Sequence, residues 1–299
     1  SIQKATEMGA KTVVERGSSH MAHQTQILKE EYQAWGLKFA ATHPGVYERE
    51  LQSYQECDRI AIPSLYVKRT FIEAGMPESK LIHVPYGVSL KEFYPVPKED
   101  NIFRVIHCGS ISLRKGLPYL LQAFIELNLP NVELWLVGSL DPEFQPLVDK
   151  YLQQNPKIIL KGNQPQNQLR WFYSQCSVFC LASIEEGLAM VQPQAMACGL
   201  PIIHTTNTGG EDIIRNGVDG FCIPIRAGAR RSSGAARARR CRSRNGSGRY
   251  LWRNSRERRG WRLHRPRRVP VRARSAAATT RTRADIAARN ARAPSTQAR

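Results

Sequence analysis

The feature that most constrains this chain is a strand–helix rhythm running from residue 98 to residue 225. Short runs rich in Val, Ile and Leu ("FRVIHCG", "VELWLVG", "KIILKG", "SVFCLAS", "PIIHT", "GFCIPI") alternate with helical segments. These are "LPYLLQAFIEL", "EFQPLVDKYLQQ", "NQLRWFYSQ", "PQAMACG" and "EDIIRN". Strands separated by helices of this length predict a parallel sheet covered on both faces. In such sheets ligands gather at the carboxyl ends of the strands, where loops and helix N-termini lie.

Residues 1–97 carry the same signals more sparsely. "KTVVE" reads as a strand, "QILKEEYQAWGLKF" and "VYERELQSYQECD" as helices, and "RIAIPS" as a strand ending at Ser64. Ser64 is placed to cap the helix "LYVKRTFIEAG", which Gly75 closes. "KLIHVPYG" is a further strand, and the stretch holding Pro95, Pro97 and Lys98–Asp100 reads as a linker. The chain opens inside an element with no initiator Met, so a segment upstream of Ser1 is expected.

Charge divides the chain again. The net charge of +19 would suggest a nucleic-acid or membrane partner if it were spread evenly. From Arg226 onward there are 24 Arg, no Lys and 2 acids, whereas residues 1–225 hold 20 basic residues against 23 acids. The first 225 residues are thus nearly neutral. Residues 226–299 are built from Arg, Ala, Ser, Gly, Pro and Thr, with too few large apolar side chains to offset the entropy of ordering, and disorder is expected there. A switch of reading frame in a GC-rich gene would produce such a Lys-free text. The 7 Cys form no C-x-x-C pair and read as buried free thiols in a reducing cytoplasm. No apolar run approaches the length of a membrane span.

Two loops carry chemistry. In "HCGSISLRKGLPYLLQAF" a strand ends at Gly109, and Arg114, Lys115 and Gly116 open a helix. Free amides, helix dipole and basic side chains together suit a diphosphate, although a solvated basic turn would read the same way. In "ASIEEGLAMVQPQAMACGLPII" a strand ends at Ser183, and Glu185, Glu186 and Gly187 make the turn. Pro193 places the helix start between Ala189 and Pro193. Glu186 is positioned either to accept hydrogen bonds from sugar hydroxyls or simply to cap the helix.

These two loops, about 70 residues apart and followed by "TNTGGEDIIRNGVDGFCIPI", resemble the donor domain of glycosyltransferase family 4. That family is retaining and has the GT-B fold of two Rossmann-like domains. "IPSLYVKRTFIEAGMPESKLIHVPYGVSLKEFYP" resembles the end of the family's acceptor domain and its crossing into the linker. The resemblance implies an α/β protein: a partial acceptor-side domain over 1–97, lacking its opening strands, and a nucleotide-sugar donor domain over 98–225. The Arg-rich segment 226–299 lies outside the resemblance.

The resemblance also implies a hexosyltransferase-like activity, moving sugar from a nucleoside-diphosphate sugar to a hydroxyl on a glycan, lipid or small molecule. Lys115 and Arg114 would then bind the donor diphosphate beside Gly109 and Ser110. Glu186 would hold the donor sugar, the amides of Gly187, Leu188 and Ala189 would meet the phosphates, and Gln194 would touch the ribose. Three positions depart from the family pattern. Gln194 stands where the family has a second Glu, Ser110 where it often has Arg, and Ser89 where it usually has Asp.

In the first domain "ERGSSH" follows a strand and is expected to face the cleft. Arg16 and His20 are its candidates for acceptor or donor contact, against ordinary loop capping by Ser18 and Ser19. The sequence holds no Asp-x-Asp and no His/carboxylate cluster with metal spacing, so no metal or other cofactor is expected. The expected partners are a nucleotide sugar and a glycan or lipid-linked acceptor. The expected location is the cytoplasm, with room for peripheral contact at the inner face of the membrane, and no specific nucleic acid is expected. The rival from another class is an inactive remnant whose basic tail binds nucleic acid or anionic lipid.

Overall fold

The computed structural model describes residues 2–227, and the disorder expected for 226–299 falls outside the described residues save for Arg226 and Ala227. Two parallel α/β lobes make up this part. The first holds a three-stranded sheet of order β1-β2-β3, formed by β1 (Val13–Glu15), β2 (Arg59–Ile62) and β3 (Leu81–His83). Around it lie α1 (Ile2–Glu7), α2 (Met21–Ala34), α3 (Pro44–Glu56) and α4 (Leu65–Glu73).

Local chemistry sets these boundaries. His43 caps α3 with Pro44 in its first turn, where the missing N–H costs nothing. The Ser64 hydroxyl accepts from the Val67 N–H at 3.2 Å and opens α4, as the sequence predicts. The start of α2 at Met21 lies ahead of the expected run at Gln26, because His20 supplies a cap the sequence pattern does not advertise. Tyr54, Phe71, Ile60, Ile62 and Val67 form the lobe's core.

The second lobe is a six-stranded parallel sheet of order β6-β5-β4-β7-β8-β9. Its strands are β4 (Phe103–Cys108), β5 (Val132–Val137), β6 (Ile158–Gly162), β7 (Val178–Leu181), β8 (Ile202–Thr205) and β9 (Gly220–Ile223). Crossovers run through α5 (Leu117–Leu127), α6 (Gln145–Gln154), α7 (Gln166–Ser174) and α8 (Val191–Ala197). Alternate residues bury on opposite faces. Leu134 and Leu136 pack with Leu117, Leu121 and Val148, while Trp135 and Val137 pack with Phe172, Tyr173 and Ala195. Burial on both faces explains why these strands read as continuous apolar runs. Phe93 of the linker joins the second core, and Val96 and Glu99 donate backbone N–H groups to Ser174 and Gln175.

One expected element is much shorter than its pattern. "EDIIRN" yields a single 3-10 turn, Gly210–Asp212, rather than a helix. Its polar side chains are drawn in different directions. Asp212 accepts the Leu65 N–H at 2.9 Å, and Arg215 turns onto Asp219 at 2.6 Å, while Ile214 enters the core. Arg226, expected to begin the tail, is built into the fold: it pairs with the fully buried Glu31 of α2 at 2.6 Å.

Candidate functional site

The strand order reverses between β4 and β7, since successive strands run outward from β4 on one side and from β7 on the other. That reversal opens a crevice at the carboxyl ends of these two strands, the usual ligand position in an open parallel sheet. The loops leaving β4 and β7 are the two loops singled out in the sequence. They are locked together by the Ile184 N–H donating to the Arg114 carbonyl at 2.9 Å. Gly116 makes the contact feasible. Its φ is +65°, and a Cβ there would sit 2.0 Å from the Ala182 carbonyl oxygen.

Beneath the crevice His107 is fully buried, its Nδ1 3.4 Å from the Cys180 carbonyl and its Nε2 3.4 Å from the Ser110 carbonyl. Burial first, and the nearby Lys115 charge second, push its pKa down to about 4, so the ring is neutral at ordinary pH. Neutral, the ring has one N–H and donates to only one of these two carbonyls, that of Cys180 or that of Ser110.

Lys115 and Glu186, brought from loops 71 residues apart, form an ion pair whose side chains are 19% and 10% exposed. Glu186 also accepts from the Ser183 hydroxyl at 3.2 Å. It is not the helix cap: α8 has Met190 at its N-cap and no side-chain capping bond. Gly109 lines the same loop, half-buried, with Ser110 exposed beside it. The N-cap of α5 is Gly116, which offers no side-chain acceptor to the first-turn amides. Across the crevice Gly187, Leu188 and Ala189 are buried, and the Ala189 N–H is directed at the Thr208 carbonyl at 3.4 Å. Gln194 lies within α8, where its carboxamide oxygen accepts from the Tyr173 hydroxyl at 3.2 Å.

Arg114 stands differently from its expected place with the diphosphate. Its guanidinium pairs with Glu185 at 2.9 Å and reaches the Ser18 hydroxyl of the first lobe at 3.3 Å. Glu185, which the sequence marks only as a turn residue, is completely buried. It accepts from the Ser19 N–H at 2.9 Å, the Ser19 hydroxyl at 2.7 Å and Gln24 at 2.8 Å. Burial alone would raise its pKa, but Arg114 and these hydrogen bonds outweigh it and hold the carboxyl below its ordinary value. Nothing in an "EE" pair says which carboxylate turns inward; only the docking of the first lobe decides it.

The loop "ERGSSH" does meet the second lobe, with Gly17 packed so closely that a Cβ on Gly187 would lie 1.7 Å from its carbonyl oxygen. Neither Arg16 nor His20 is presented there as a ligand group. Arg16 is taken up within its own lobe by Glu50 at 2.6 Å, Gln24 at 2.7 Å and the Ser19 carbonyl at 3.0 Å. His20 is buried against Tyr54 and Phe71 and caps α2, accepting the Ala22 N–H at 3.3 Å. Ser18 and Ser19, the expected caps, instead face Arg114 and Glu185.

Among the described residues no three of His, Cys, Asp and Glu come together as a metal site, and no helix is long and apolar enough to cross a membrane.

Residues 102–235 match the family model "Glycosyl transferases group 1". Lipopolysaccharide 1,2-N-acetylglucosaminetransferase of Salmonella typhimurium is 28% identical over 185 residues, 54% of this chain and 48% of that protein. The chain spans about half the length of the curated relatives it matches. Among solved structures, sucrose-phosphate synthase from Thermosynechococcus elongatus superposes with a TM-score of 0.61 at 21% identity, over 76% of this chain and 58% of that one. Anabaena HepE in complex with UDP and glucose gives 0.57 at 20% identity, over 75% and 60%. At such identities the structural likeness speaks to the fold, two parallel Rossmann-like sheets of the GT-B kind. The family match lies on the lobe that carries the β4–β7 crevice, and that lobe is a group 1 glycosyltransferase domain.

Proposed function

We propose that this chain forms the donor side of a retaining glycosyltransferase that takes a nucleoside-diphosphate sugar and passes the sugar to a hydroxyl acceptor on a glycan or lipid. The observation that carries the reading is the Lys115–Glu186 pair at the β4–β7 crevice. A cation there suits the diphosphate, and a carboxylate beside it suits the hydroxyls of the attached sugar. When the donor enters, Lys115 exchanges Glu186 for phosphate, and Glu186 turns to the sugar. The first-turn amides of α5 and the Gly187–Ala189 segment add dipoles where negative charge grows on the leaving diphosphate. Gly109 and Ser110 flank it, and the N–H groups of the Gln194 carboxamide reach the ribose. No protein nucleophile is needed if the acceptor hydroxyl attacks on the leaving group's own face and yields its proton to donor phosphate.

UDP is the first probe, because HepE was solved with UDP and glucose. The enzyme works at the cytoplasmic side, without a resident metal, given a sequence with no Asp-x-Asp. Glu186→Ala and Gln194→Ala separate the two ends of the site. Glu186→Ala weakens binding of UDP-glucose relative to UDP, which has no sugar and gains from a Lys115 no longer paired with Glu186. Gln194→Ala weakens both ligands alike. A Glu186→Ala variant with an unchanged ratio of the two affinities removes the sugar-site assignment.

A further inference from the structure

Arg114, Lys115, Glu185 and Glu186 form two ion pairs side by side, so their formal charges cancel. A diphosphate arriving at this cluster finds both cations already occupied. The Lys115–Glu186 pair lies wholly within the second lobe. The other pair does not: Glu185 is held by the Ser19 N–H, the Ser19 hydroxyl and Gln24, all from the first lobe, and Arg114 touches Ser18. Gly187 is pressed against Gly17 and lies 3.2 Å, measured from an ideal Cβ, from the Pro63 ring. The donor loop is therefore covered by first-lobe residues while the pair is intact.

We propose that Glu185 is a positioning residue that competes with the donor diphosphate for Arg114 and, through Ser19 and Gln24, makes phosphate binding conditional on release of the first-lobe loop. The inference rests on the donor-site reading above. Its physical basis is the burial of Glu185. Taking Arg114 away while Ser19 and Gln24 stay in place would leave a carboxylate at 0% exposure without a counter-charge, a costly arrangement. When the loop carrying Ser19 and Gln24 lifts away, water reaches Glu185 and Arg114 is free to meet phosphate. Phosphate binding and loop release are then one linked equilibrium, and each must favour the other.

Hydrogen exchange followed by mass spectrometry on the whole chain tests this. Saturating UDP should speed exchange in the segment spanning residues 17–24 of the wild type. In Glu185→Gln that segment should exchange fast from the start, with no further response to UDP. Glu185→Gln should also bind UDP roughly tenfold tighter, the scale of one charge-assisted contact no longer contested. That gain should vanish in the Glu185→Gln/Arg114→Ala double variant, which a purely structural role for Glu185 would not produce. If Glu185→Gln does not fold, Ser19→Ala with Gln24→Ala keeps the Arg114–Glu185 pair, loosens the same latch, and should tighten UDP in the same direction. The proposal is overturned if UDP slows exchange at 17–24, or if the folded variants bind UDP no tighter than wild type. A wild-type chain that binds no UDP at all would instead bring down the donor-site reading, and this inference with it.

Discussion

Replacing His107 by Gln removes a titrating group from the crevice floor without emptying the space, and the structure sets the size of the effect. The imidazole is fully buried and its pKa falls from 6.5 to about 4. A His whose folded pKa is depressed is protonated first in the unfolded chain. Its neutral form therefore supports the fold above about pH 6.5, and that support is lost as pH falls from 6.5 toward 4. With about 1.4 kcal/mol per pKa unit, this one group should cost the wild type about 3 kcal/mol between pH 7 and pH 4, and about 1.4 kcal/mol by pH 5.5. Urea unfolding at pH 7, 6, 5 and 4 reads the total. The difference in slope between wild type and His107→Gln isolates His107 from the acidic groups, Glu185 among them, whose contributions also fade in acid. At pH 7 neutral His107 and Gln can each donate to one of the two carbonyls, so the variant should keep most of the wild-type stability there and fall less on acidification. Parallel pH profiles for the two proteins, or an NMR titration placing His107 near 6.5, would refute the reasoning.

Lys115→Ala should weaken UDP binding by about 1.5–3 kcal/mol, the range for a hydrogen bond to a charged group, as read by calorimetry. The wild-type affinity should be the same in excess EDTA, and its loss on chelation would count against the metal-free reading. Gly116→Ala should destabilise the second lobe by ~2 kcal/mol or more in urea unfolding, because a left-handed residue gains a Cβ that meets the Ala182 carbonyl. A Gly116→Ala protein as stable as wild type would mean that the β4 and β7 loops are not locked as described.

The second lobe was largely legible in the sequence, since its strands and helices each declare themselves locally. α5 occupies the expected "LPYLLQAFIEL" without a residue of difference, because Gly116, Pro118 and an apolar run broken only at Gln122 and Glu126 all specify the same helix. Ser64 opened α4 as its side chain predicts. Where neighbours compete for the side chains, local pattern was insufficient. "EDIIRN" has helical spacing, yet Asp212 is claimed by Leu65 and Arg215 by Asp219, and only a short turn remains.

The candidate site divides along the same line. The residue types of the two loops, basic after β4 and acidic after β7, are written in the chain and were enough to single out Lys115 and Glu186. Their meeting depends on the order β5-β4-β7-β8, which brings together strands separated by two intervening βα units. No local signal encodes that adjacency; it follows from how the sheet buries its two faces. The fates of Arg16, His20, Arg114 and Glu185 lie further still from the sequence. A guanidinium or a carboxylate goes to whichever opposite charge is nearest in the folded chain, which for Arg16, Arg114 and Glu185 is set by lobe docking and core packing, while His20 is taken into the first-lobe core as a helix cap. The sequence by itself therefore determined the elements and the chemistry available at the crevice. The tertiary structure alone decided which charges face one another, because burial makes each of them depend on partners distant in the chain.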